Sequence, residues 1–282
     1  MKNGDNMDGV LLIHKEQNMT SHDVVARLRK ILHIKKIGHS GTLDPNATGV
    51  LLVLVGRACK ALPFLEDTDK EYIATMQLGK RTISDDIWME TLEEAPIKPI
   101  ENFQSILDEF KGKQKQVPPM ISSVRVNGKK LYEYAREGKI VERPLRDVEI
   151  YDIEAIDGDQ LTFRVSCSSG TYVRSLCHDI AKATGNLGCM SSLVRTKVGR
   201  FSLENCVTLS DVQKGNFTLH SLSEVLAHFE MIEAENPADI FNGKKIHADC
   251  RAKQIAVTHK GDVLAIYEHE KDDVYRCVRG LW

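Results

Sequence analysis

The tightest constraint on the fold is VLLVLV, residues 50 to 55: six consecutive apolar side chains closed by Gly49 and Gly56. The run falls far short of the ~20 residues that span a bilayer. It is too continuous to leave one face in water, so it predicts a short strand buried on both sides. The segment in front of it, GHSGTLDPNAT, adds Gly38, Gly41, Pro45 and one carboxylate, Asp44. Glycine permits positive φ or close backbone approach, and Pro45 biases Asp44 away from helical geometry. A carboxylate held on such a turn can act as nucleophile or general base. The ordinary alternative is an Asx-turn in which Asp44 only caps its own loop. The turn by itself leaves both open.

Around this strand the pattern alternates between sheet and helix. Residues 9–13, GVLLI, read as a buried strand. MTSHDVVARLRKILHI predicts a helix capped by Thr20 or Ser21, with Asp23 at its positive end and Val24, Val25, Leu28, Ile31 and Leu32 inward. Tyr72, Ala74, Met76 and Leu78 alternate as on a half-buried strand. Residues 84–101 are acidic and irregular, and 103–111 form a short helix. Residues 148–155 and 161–167 are strands joined by a DGDQ turn. SSGT then opens a helix, YVRSLCHDIAKAT, with Leu176, Ile180 and Ala183 inward and Gly185 as its stop. The last fifty residues hold three short strands. The order predicts an α+β fold, a mixed or antiparallel sheet with flanking helices, and a small β-rich module from about residue 231.

Composition narrows the chemistry. The seven cysteines contain no C-x-x-C, and the ten histidines show no zinc spacing. P-loop and Rossmann fingerprints are missing as well, so no cofactor and no metal is expected. Reduced thiols fit a cytoplasmic chain, and no stretch reads as a signal peptide or membrane span. Met7 is a second candidate start. The formal net charge is -2, but residues 111–146 carry ten Lys and Arg against three Glu. That segregation fits either a surface for a polyanion or a solvated loop.

Five segments in order carry a resemblance. GHSGTLDPNATGVLLVLVG resembles the catalytic-aspartate motif of pseudouridine synthases of the TruB family, the tRNA pseudouridine-55 synthases. GVLLIHKEQNMTSHDVV resembles that family's opening, KEYIATMQLGKRTISDD its tyrosine motif, QVPPMISSVRVNGKKLYEYAREG its RNA-gripping insertion, and CSSGTYVRSLCHDIAKATGNLGCMSSLVRTKVG its third catalytic motif. The resemblance covers about residues 7–200. It implies that Asp44 is the nucleophile, that Tyr72 stacks on the flipped uridine, and that Arg174 pairs with the aspartate. It places Leu193 and Tyr172 in the base pocket, His39 in the space left by the flipped nucleotide, and Lys15 near the site. It further implies a catalytic domain over 7–230, a gripping insertion over about 111–146, and a reduced PUA-like RNA-binding module over 231–282. The partner is tRNA, met at its T arm; no membrane or protein partner is implied, and the chain is expected to be a monomer.

The chain departs from the family pattern at His14 and Glu16 (usually Asp and Pro), at Ile83 and Ser84 (usually Asp-Thr), at Ser169 and at Arg125 (usually Lys). These bear on contacts to RNA and leave Asp44, Tyr72 and Arg174 in place. Two other readings fit part of the sequence. One is a non-catalytic RNA-binding or tRNA-folding protein. The other is a glycosidase, which requires a second carboxylate beside Asp44; Asp85 and Asp86 offer one only by composition.

Overall fold

The structure, a computed structural model, describes residues 7–65, 69–156 and 161–282. The stretch before Met7 and the DGDQ turn at 157–160 lie outside them. The chain is α+β and forms two compact units. One comprises residues 1–45, 50–66 and 204–282, the other 46–49 and 67–203.

In the first unit, strand β1 (Gly9–Lys15) lies beside β3 (Thr48–Val55), and β2 (Ile37–Ser40) pairs antiparallel with β3. Val50 to Val55 are all buried, so the apolar run is a strand covered on both faces. Helix α1 (Ser21–Leu32) packs Val24, Val25, Leu28 and Leu32 against Leu51, Val53 and Val55, with Ile31 partly buried beside them. Its cap is Thr20: the Thr20 hydroxyl accepts from Asp23 N–H at 3.0 Å, and the Asp23 carboxylate accepts from Thr20 N–H at 2.8 Å. Helix α5 (Leu209–Gln213) adds Leu209 and Val212 to the same core.

The small C-terminal β module is present in this unit. Strand β14 (Glu230–Glu233) runs parallel to β16 (Gln254–His259), followed by β17 (Asp262–Lys271), β18 (Val274–Gly280) and β15 (Ile246–His247). Tyr267 and Tyr275 are fully buried at its centre. Each phenol also donates to main-chain carbonyls, Tyr267 to Lys244 and Tyr275 to Cys250 and Ala252. The module therefore has its own core.

In the second unit the sheet order is β12 (Gly188–Val198), β4 (Lys70–Leu78), β11 (Thr162–Cys167), β10 (Arg146–Ala155) and β7 (Gly112–Gln116), all neighbours antiparallel. The first residues of β3, Thr48 and Gly49, pair parallel with Val194 and Arg195 of β12. A Cβ on Gly49 would stand 2.2 Å from the Arg195 carbonyl oxygen, and φ there is +110°, so only glycine fits.

Helix α4 (Val173–Ala183) buries Val173, Leu176, Cys177, Ile180 and Ala181. Ala183, expected inward, is exposed, because the helix meets β12 at Ala181, whose Cβ fills the space at Gly188. The acidic stretch 84–101, expected to be irregular, is so except at β6 (Thr91–Glu94), which pairs with β5 (Lys80–Thr82) just before the stretch. The basic insertion begins as strand β7. It continues through a tight hairpin, β8 (Arg125–Val126) with β9 (Lys129–Lys130), into helix α3 (Leu131–Arg136).

Candidate active site

The expected site residues divide between the units. His39, Asp44 and Lys15 belong to the first; Tyr72, Tyr172, Arg174 and Leu193 belong to the second.

Asp44 sits half-buried in the loop that leaves β2, between buried Leu43 and exposed Pro45. Gly41 turns the chain with φ +72°. Three side chains then fasten the loop. The Ser40 hydroxyl donates to the Leu65 carbonyl at 3.1 Å. The Ser21 hydroxyl accepts from Leu43 N–H at 3.0 Å and donates to the Leu43 carbonyl at 3.3 Å. The Lys15 ammonium donates to the carbonyls of Met19 at 2.7 Å, Glu16 at 3.0 Å and Pro45 at 3.1 Å. Lys15 is fully buried, so these carbonyls replace the water it has lost. His39, opposite Val53 on β2, meets the ring of His22 edge-on, with centroids 5.4 Å apart and planes at 85°.

In the second unit, Tyr72 lies on β4 between Val165 of β11 and Arg195 of β12, only 8% exposed. Leu193 stands opposite Ala74, two residues along the same face. Arg195 is 1% exposed and shares the Tyr72 face, a position that was not singled out from the sequence. No sequence signal marks it, because SLVRTKV mixes apolar and polar residues; a fully buried Arg occurs almost only with partners.

Arg174 is the second residue of α4, an unfavourable end for a cation. The geometry answers this. Its guanidinium donates to the carbonyls of Ser84 and Ile121, both at 3.0 Å, and lies 3.8 Å from the Asp86 carboxylate. Asp86 in turn accepts from the Ser84 hydroxyl at 2.8 Å and from Trp88 N–H at 3.1 Å. Arg174 and Asp86 are both buried, so the pair is shielded from solvent. Next to it, Asp85 has φ +60°, and burial pushes its carboxyl above the usual range against the pull of His178, Arg174, Arg143 and Arg81.

Tyr172 caps α4, and its main chain is held by the buried Gln116 side chain. The Gln116 amide accepts from Tyr172 N–H at 2.7 Å and donates to the Tyr172 carbonyl at 3.0 Å. The Ser175 hydroxyl donates to the Val117 carbonyl at 2.9 Å. The root of the basic insertion is thus fastened to the first turn of α4 at residues 116, 117 and 121.

Among the described residues no cluster of three His, Cys, Asp or Glu could hold a metal, and no helix is long and apolar enough to cross a membrane.

The sheet, the flanking helices and the C-terminal β module define the pseudouridine-synthase class of fold. The solved structure of a Cbf5–Nop10–Gar1 complex contains a chain that superposes with a TM-score of 0.73 at 25% identity, over 97% of this chain and 85% of that one. A chain of an H/ACA RNP bound to a substrate RNA superposes equally well at 23% identity, with the same coverage. The model of the TruB family pseudouridylate synthase N-terminal domain matches residues 29–173, and that of the tRNA pseudouridylate synthase B C-terminal domain matches 174–232. The tRNA pseudouridine synthase B of Oceanobacillus iheyensis is 41% identical, with 93% of each chain covered. That of Bacillus cereus is 44% identical over 93% of each, and that of Listeria welshimeri 41% identical over 96% of this chain and 93% of its own. The chain belongs to the TruB family of pseudouridylate synthases.

Proposed function

We propose that the chain converts uridine 55 in the T loop of tRNA to pseudouridine, with Asp44 as nucleophile. The observation that carries this is the Asp44 loop: a half-exposed carboxylate fastened on both sides by buried Ser40, Ser21 and Lys15. Fixed geometry is what a covalent step demands of its nucleophile.

In the reaction the uridine leaves its stack at a cost of a few kcal/mol, offset by a new aromatic face and pocket. Tyr72 supplies the face, Leu193 and Tyr172 line the pocket, and His39 fills the gap in the RNA. Asp44 forms the transient covalent bond as the bond between N1 and C1′ opens. The base turns, C5 bonds to C1′ as the bond to Asp44 breaks and its carboxylate is restored, the C5 proton is released and N1 takes up a proton. No external group is transferred. By the family resemblance, Arg174 is the cationic partner of Asp44 in the reaction. Lys15 holds the loop from below. Residues 7–230 are the catalytic domain. The insertion over about 111–146 grips the T-arm phosphates, and the module at 231–282 adds a second RNA contact. The chain works as a monomer in the cytoplasm.

The test uses unmodified tRNA tritiated at uridine C5. Wild type releases tritium from the T-loop uridine, whereas Asp44→Asn is slower by at least about a thousandfold. Bound tRNA with no release by either protein sinks the enzyme reading, and release from another uridine overturns the substrate.

A further inference from the structure

We infer that Ser21 is a positioning residue for Asp44, an inference that rests on the reading of Asp44 as nucleophile. Helix α1 needs one capping hydroxyl, and Thr20 provides it. The Ser21 hydroxyl is therefore not explained by the helix. It is fully buried, where an unsatisfied hydroxyl is costly. Both of its hydrogen-bonding roles go to one residue, Leu43: it accepts from the N–H at 3.0 Å and donates to the carbonyl at 3.3 Å. A single side chain thus reproduces the paired bonds that a neighbouring strand would make.

Leu43 immediately precedes Asp44, and its carbonyl belongs to the peptide that joins the two. Fixing that carbonyl fixes the peptide plane and the direction in which the Asp44 side chain leaves the backbone. Upstream, Gly41 turns the chain with φ +72°. The other fastenings, at Ser40 and Pro45, stand one residue before that turn and one residue after Asp44. Ser21 acts between them, next to the carboxylate. Its side chain is 3% or less exposed together with Leu43, so water has no route to replace it. A misplacement near 1 Å at a reacting group costs about a hundredfold in rate.

The experiment compares wild type, Ser21→Ala, Ser21→Cys and Asp44→Asn as full chains. It measures single-turnover tritium release from C5-labelled tRNA at saturating enzyme, tRNA affinity by filter binding, and thermal unfolding. The expected result for Ser21→Ala is a rate lowered by about ten- to a hundredfold with affinity within twofold of wild type. Ser21→Cys, which keeps a weak donor and acceptor, falls between them. A purely structural role would move the unfolding temperature and leave the rate of the folded fraction unchanged. A folded Ser21→Ala with a rate within twofold of wild type overturns the inference, as does a loss that appears in affinity alone. Should Ser21→Ala fail to fold, Ser21→Cys decides by the same criteria. Asp44→Asn separates the layers: if it keeps the wild-type rate, the nucleophile reading falls and takes the inference with it.

Discussion

The Lys15 ammonium donates to three main-chain carbonyls, and one of them belongs to the residue after Asp44. Replacing it with methionine keeps most of the volume and leaves the carbonyls of Met19 and Pro45 short of a donor. The expected cost is about 3 kcal/mol, in the range for buried acceptors that lose a charged partner. Denaturant unfolding checks this as a lower midpoint at constant slope. The same variant is expected to lose activity, because the Asp44 loop then swings on its downstream side. The turn around Asp44 was legible in the sequence because glycine and proline mark backbone geometry directly. The role of Lys15 was not, since a lysine at the end of a strand ordinarily reaches water. Ser21 was hidden for a related reason: two adjacent hydroxyl residues both fit the cap, and only the structure shows that Thr20 takes it. Asp86 was legible as an acid but not as the partner of Arg174, because 88 residues of sequence separate them.

At the scale of elements, the clean alternation of β4 and the apolar block of β3 were readable, and the eleven-residue β12 was not. GCMSSLVRTKV does not alternate because β12 slips register against β4 twice, between Met190 and Ser192 and between Arg195 and Lys197. Each bulge flips the inward set, so a strict period of two finds nothing. The β4–β12 pairing also carries a titratable cross-strand link. Glu71, next to Tyr72, accepts from the Thr196 hydroxyl at 2.7 Å and the Lys197 ammonium at 2.9 Å. Burial pushes the Glu71 carboxyl up, but the bonds from Lys197 and Thr196 outweigh it, and the pKa falls below its ordinary 4.5. A depressed acid contributes stability above its unfolded pKa and loses it as pH falls through the folded value. Stability is therefore expected to decline below about pH 4.5. Glu71→Gln is expected to flatten that acid limb, measured as unfolding midpoint against pH. The effect is small, under about 1 kcal/mol, because the pair is partly solvated.

For the whole molecule, the overall charge of -2 conceals a basic segment with ten cations and three acids. Several of those cations meet local partners: Lys111 with Asp108 and Asp152, Lys115 with Asp147, and Lys129 and Lys139 with Glu137. Exposed pairs of this kind are weak and exchange readily for phosphate. Affinity for tRNA is expected to fall log-linearly with salt. The double substitution of exposed Lys113 and Arg136 by alanine should reduce the slope by about two. Anisotropy titrations at several salt concentrations measure it. The chain path adds a demand of another kind. The second unit is complete once residue 203 has been made, whereas the first needs both early and late residues: Val10 bonds to His220, and His14 to Val207. On a ribosome, where synthesis runs from the N-terminus at ~5–20 residues per second, β1 must wait several seconds or more for its partners. Through that interval VLLVLV and the loop carrying Asp44 lack their finished core. The part of the molecule that holds the nucleophile is therefore the last to mature.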